Sequence, residues 1–297
     1  MAMRVTTRMM SELGVSRMNE RLAQLERSQR SLSTGRRIHV ASDDVSGMSA
    51  ALSARAGIAE AKQAQRNAAD GLSWIQAAET RLTSATDQLQ RANQLVLEAN
   101  NSTTSQSGLD AIASELSEIR DSILSVANSR HQGRFVFGGY STATPIADPG
   151  SGWAYGGDAG EVRRRVGEGD TVVVNVTADD VFGFTDGDDV FSMLDGVIAD
   201  LTAGDRSGLG TAIASVQTAL DRVLQGRGVL GAAANRIELA EVRARADELD
   251  LKTQLSSVED TDMAEAIMEL QIQEVSYQAA QSALAKTIQP SLAQFLR

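Results

Sequence analysis

The sequence predicts a mainly α protein with a β insertion (α+β). Long helices from both chain ends pair as an antiparallel, coiled-coil-like bundle, and the middle of the chain forms a small β-rich domain. Three observations predict this. Apolar residues recur at alternating steps of three and four over long stretches in both halves. The flanks are rich in Ala, Leu, Gln, Arg and Glu, which favour helix. The residues that interrupt helices gather between them: eight of 11 aromatics and 13 of 25 glycines lie between His131 and Gly196, with Pro145 and Pro149.

The longest element starts near Gly47. Counting by three and four gives Gly47, Ala50, Ala54, Gly57, Ala61, Ala64, Ala68, Gly71, Ile75, Ala78, Leu82, Ala85, Leu89, Ala92, Val96 and Ala99, none of them polar. That seam belongs to a coiled coil of about 80 Å at about 1.5 Å per residue. Its first half is all Ala and Gly, so helix axes can approach closely there. Ser42 or Asp43 is the expected N-cap, and the polar run Asn100–Ser105 ends the helix. A second seam (Leu109, Ile112, Leu116, Ile119, Ile123, Val126) follows the short turn and predicts an antiparallel hairpin.

The C-terminal flank repeats the pattern at sevens: Leu209, Val216, Val223, Leu230, Ile237, Ala244, Leu251 and Val258. The phase breaks at Glu259–Asp262. A new register runs through Met263, Leu270, Tyr277 and Leu284, with Ile267, Ile288, Leu292 and Phe295 beside it. A shorter seam at the other end holds Val15, Met18, Leu22, Leu25 and Leu32 before Gly35. Between the flanks, RFVFGGY (134–140) puts Phe135 and Phe137 on one strand face. EVRRRVG (161–167) and TVVVNVT (171–177) form a hairpin, with Arg164 on the face of Val162 and Val166 as an ion-paired arginine. VFGFTDGDDVF (181–191) adds alternating aromatics and a turn. Residues 1–40 and 260–297 therefore read as terminal helical assembly arms, 41–132 and 197–259 as a helical rod, and 133–196 as the inserted domain.

Charge and composition exclude several functions. A formal net charge of -11 opposes the basic footprint that nucleic acid demands and electrostatic docking on anionic membranes. The chain has no cysteine, hence no disulfide framework or thiolate metal site. No apolar run is long enough for a membrane span or a cleaved signal, which fits either a cytoplasmic protein or one exported by another route. Catalysis, cofactor binding and metal binding find no support. The two histidines, His39 and His131, lie in a loop and before the first strand, and no GxSxG elbow exists. TDGDDVF lacks calcium-loop spacing. The glycine pairs Gly138–Gly139 and Gly156–Gly157 make no nucleotide-binding motif.

The last 23 residues carry two charges, Lys286 and Arg297, and the first 13 are apolar at Met1, Met3, Val5, Met9, Met10 and Leu13. A lone solvated helix is richer in charge. Either the two arms pair with each other, or neighbouring subunits cover them; periodicity leaves both open.

Several blocks resemble one family. LSTGRRI (32–38) followed by ASDD (41–44), QRNAADGLSWIQAAE (65–79), NRIE (235–238), SSVEDTDMAEAIMEL (256–270) and YQAAQSALAKTIQPSLAQFL (277–296) resemble the bacterial flagellin superfamily in the same order, over about two-thirds of the chain. Val45 departs from the pattern, standing where a proline often follows SDD. MRVTTRMM (3–10), RFVFGGYST (134–142) and the segment 155–183 resemble the superfamily's hook–filament junction members more than its filament subunits. The resemblance implies a non-catalytic structural subunit between hook and filament, outside the cell, exported by the flagellum's own type III apparatus without a cleaved signal. It implies as partners further copies of the chain, hook-associated protein 1, flagellin, and an export chaperone on the C-terminal helix. The expected subunit-interface residues are those of the outer seams: Val15, Met18, Leu22, Leu25, Leu32, Met263, Leu270, Tyr277, Leu284, Ile288, Leu292 and Phe295.

Overall fold

The computed structural model describes residues 7–295 apart from Pro149, Ser151 and Asp186, with side chains described for Met9 and from Glu12 to Ala285. The helices are α1 (Thr7–Thr34), α2 (Val45–Ala99), α3 (Gln106–Ala127), α4 (Ala178–Phe182), α5 (Val190–Ala203), α6 (Leu209–Glu259) and α7 (Met263–Phe295). Between α3 and α4 lie three antiparallel two-stranded ladders: β1 (Arg130–His131) with β2 (Arg134–Phe135), β3 (Ile146–Ala147) with β4 (Ala154–Tyr155), and β5 (Arg163–Arg165) with β6 (Thr171–Val173). The chain folds as two compact units, one of residues 60–247 and one of residues 1–59 with 248–297.

In the unit of residues 60–247, the repeats become the core. Every seam position of α2 from Ala61 to Ala99 is buried. So are Leu109, Ile112, Leu116, Ile119 and Ile123 of α3, while Ala127 takes the buried place expected for Val126. The polar run 100–105 does turn the chain back, with Ser105 as N-cap accepting from the Gly108 amide. Arg91 of α2 and Glu115 of α3 pair at 2.6 Å across the hairpin. On α6 the large residues Leu209, Val216, Val223, Leu230 and Ile237 alternate with the small Ala219, Gly226, Ala233 and Ala240, all buried. Large knobs therefore meet small holes. A Cβ on Gly71 of α2 would lie 3.0 Å from Ile237 Cδ1 and 3.3 Å from Val174 Cγ1, so any larger residue at this crossing would press on both.

The insertion is more irregular than its strand signals imply. The β1–β2 turn uses Gln132 (φ 50°) and Gly133 (φ 81°), the left-handed pair of a tight hairpin. The alternation expected at 135–137 fails: Phe135, Val136 and Phe137 are all buried, because β2 ends at Phe135 and the chain turns inward. The 161–177 hairpin forms as expected, with Arg164 Nε on Asp70 at 2.7 Å. Asn128 acts as a surrogate strand, donating to Ile146 O at 2.8 Å and accepting from Ile146 N at 2.9 Å.

The segment 181–191 is not a strand. Thr177 and Asp180 form a capping box that starts α4, and Asp189 caps α5 by accepting from the Phe191 and Ser192 amides. The alternating aromatics thus leave a helix–turn–helix that sends Phe182 and Phe191 into one cluster. Their rings are 5.7 Å apart, with Phe137 6.3 Å from Phe182. Burying each such ring contributes roughly 1.5–3 kcal/mol. Helix α5 packs on α3, where Asp195 takes both the Arg120 guanidinium and Trp153 Nε1, the latter at 2.7 Å.

Candidate functional site

The second unit contains the chain ends and the motif-bearing connections. Helix α1 stops at Gly35 (φ 69°), whose amide donates to Ser31 O at 2.9 Å. The loop to α2 is tied by adjacent carboxylates. Asp43 accepts the His39 and Val40 amides at 3.0 and 3.1 Å, and these bonds hold its pKa below the ordinary value. Asp44, rather than Ser42 or Asp43, caps α2: it accepts from the Gly47 amide and Ser46 hydroxyl, both at 2.8 Å, which lowers its pKa in the same way. On the other connection, Asp262 caps α7 through the Ala264 and Glu265 amides.

The two connections are stitched to each other. Arg37 N donates to Glu259 O at 2.7 Å, Thr261 N donates to Gly35 O at 3.0 Å, and the Arg37 guanidinium reaches Val258 O at 2.9 Å. At their centre the Glu259 side chain is 3% exposed. It pairs with Arg36 from the α1–α2 loop at 3.0 Å and with Arg55 from α2. Three segments distant in sequence thus converge on one buried carboxylate.

Beyond this point α1 and α7 run antiparallel against each other. A Cβ on Gly14 would lie 2.5 Å from Leu284 Cδ1, and Gly57 receives Leu251 in the same manner at 2.8 Å. Ala266 is buried, and Leu270, Tyr277 and Leu284, which share its helical face, are half-buried, as are Met18, Leu25 and Leu32 on α1. Val15, Leu22 and Met263 are exposed. Ile288, Leu292 and Phe295 have side chains outside the described residues. The structure therefore splits the expected interface set: part faces the partner helix within the chain and part faces solvent.

The heptad count missed a solvent-facing stripe on α7. Met268, Ile272 and Val275, spaced i, i+4, i+7, are each about 60% exposed on the side of α7 turned away from α1. They fall outside the seven-residue register that marks the inner face, so their signal is a second, weaker period on the same helix. Ala50 shows a related slip: it is exposed and Ala51 is buried instead, because a straight helix drifts against a strict 3.5-residue repeat.

No group of three or more His, Asp or Glu side chains among the described residues could hold a metal. No described helix is long and apolar enough to cross a membrane. His131 lies within β1, its ring 5.7 Å from Trp74 and its Nε2 3.3 Å from Ser73 Oγ. In TDGDDVF, Asp189 is consumed as a helix cap and Thr185 is bound to Asp179.

Residues 5–142 match the family profile of the bacterial flagellin N-terminal helical region, and residues 213–296 match that of the C-terminal helical region. The chain belongs to the bacterial flagellin family. It is 27% identical to flagellar hook-associated protein 3 of Salmonella typhimurium, covering 94% of this chain and 95% of the relative. It is 28% identical to flagellin of Bacillus subtilis, covering 93% of each. In fold it resembles a chain from Vibrio parahaemolyticus described as a flagellar hook-associated protein, with a TM-score of 0.68 at 22% identity, over 73% of this chain and 100% of that one.

The flagellin-family blocks now have physical jobs. LSTGRRI supplies the α1 stop, Arg36, Arg37 and the buried Ile38, and ASDD supplies the loop tie and the α2 cap. SSVEDTDMAEAIMEL supplies Glu259, the α7 cap and Ala266. Each motif is one side of the same stitched junction.

Proposed function

We propose that this chain is a structural subunit of the bacterial flagellum at the hook–filament junction. It contacts hook-associated protein 1 on one side and flagellin on the other, and assembles through its terminal helices, residues 1–40 and 260–297. In this reading it catalyses nothing, leaves the cell by the flagellar export route, and is held beforehand by a chaperone on its C-terminal helix.

Identity alone does not separate junction protein from filament subunit, at 27% and 28%. The observation that carries the choice is the insertion. Segments 134–142 and 155–183, which resemble junction members, are built into the core through Phe137, Val162, Val174 and Phe182. They are integral to the fold rather than a decoration on filament helices. The arms support assembly because they leave apolar stripes outside even when paired with each other.

Deleting residues 288–297 tests the reading. The expected result is a secreted, helical chain whose cells no longer hold filaments on their hooks; retained filaments would sink it. The second reading, a filament subunit, is favoured by the match to flagellin over 93% of both chains. Seeded polymerisation followed by light scattering separates them. A junction subunit caps a seed and stops, whereas a filament subunit elongates it.

A further inference from the structure

We propose that Glu259 is the latch of an arm-setting device. With Arg36 and Arg55 it couples the α1–α2 and α6–α7 connections, so that α1 and α7 are held as one paired arm on the adjoining ends of α2 and α6. Four observations converge. The carboxylate is almost wholly buried, while its partners Arg36 and Arg55 are 55% and 39% exposed. The partners come from two separate segments, a loop and a helix. Backbone bonds from Arg37 to Glu259 and from Thr261 to Gly35 flank the carboxylate, so both connections are fixed where it sits. The arm beyond has few buried apolar side chains of its own: among its described residues, only Ala266 of α7 falls in the buried apolar set. A two-helix pair with so little buried surface is marginal alone, so its order depends on what anchors its base.

The burial asymmetry makes the device testable. A buried charge stripped of its partners costs far more than exposed charges stripped of theirs. Removing the arginines should therefore release the arm more than neutralising the glutamate, and neutralising the glutamate as well should restore part of the loss.

Hydrogen exchange read by mass spectrometry on the full-length monomer measures this directly. In Arg36→Ala/Arg55→Ala, peptides from 7–34 and 263–285 should exchange at least about tenfold faster than in the native chain, with 60–247 unchanged. Glu259→Gln alone should give a smaller increase, and the triple variant should recover part of the protection. Unchanged arm exchange in the double variant overturns the latch, as does equal loss of protection across 60–247 or no recovery in the triple variant. The device deepens the assembly reading, but exchange on the monomer succeeds or fails independently of where the protein sits in a flagellum.

Discussion

Tyr155 shows how one residue's surroundings set its chemistry. Burial, then the nearby Asp158 charge, disfavours the phenolate and raises its pKa from 10.0 to about 12. Its hydroxyl donates to Asp158 O at 2.8 Å. A group whose folded pKa is raised contributes stability that is fully present below the unfolded pKa and is lost as pH rises through the folded one. Tyr155 therefore supports the fold up to about pH 10 and ceases to between pH 10 and 12. Phenolate absorbance should show a late-titrating component that vanishes in Tyr155→Phe, and denaturant midpoints of that variant should fall less steeply over this interval. Asp43 and Asp44 act at the other extreme: their depressed pKa values mean their support is lost only as pH falls below the ordinary carboxylate value. At this scale the sequence is least legible. ASDD announces a helix start, but which carboxylate caps and which ties the loop depends on one residue of register. The heptad phase breaks at Glu259, but nothing in it names Arg36 and Arg55 as partners, because they lie more than 200 positions away.

At the scale of elements the legible part is whatever repeats. A seam sustained over many turns averages out local exceptions, so α2, α3, α6 and the break before α7 follow from spacing alone. The 178–203 stretch is opaque for the converse reason: it is short, its aromatics alternate like a strand, and a capping box of Thr177 with Asp180 and a single cap at Asp189 decide that it is helical. The same contrast predicts how glycines respond. Gly71 is pressed against Ile237, so Gly71→Leu should destabilise the 60–247 unit by about 1–3 kcal/mol through overpacking. Gly196 sits in α5 with nothing within 4 Å of an added Cβ, so Gly196→Ala should stabilise by about 0.5–1 kcal/mol. Chemical denaturation of both variants checks the pair, and equal effects would refute the packing account.

At the scale of the molecule, the two units divide the labour differently. Residues 60–247 bury their α2 and α6 seams, whereas the unit holding the termini keeps Met268, Ile272 and Val275 in solvent although α7 already has a partner helix. Ile272→Asp with Val275→Asp should leave the helical circular dichroism of the monomer unchanged, because neither side chain faces α1. In the assembly reading it should abolish incorporation into flagella. A collapse of helicity instead would place the stripe inside the chain's own fold. The sequence marks both arms as apolar; which face turns outward becomes visible only once α1 and α7 are seen to pair.

The placement of the indoles has an optical consequence. The chain has two tryptophans, and both belong to the 60–247 unit: Trp74 is buried on α2, and Trp153 lies against Phe191 at 5.2 Å. The unit that carries the termini contains no tryptophan and one tyrosine, Tyr277. Indole emission therefore follows the larger unit and is dark to the arms. A melting curve recorded through it would report an unperturbed protein while the terminal helices had already come apart.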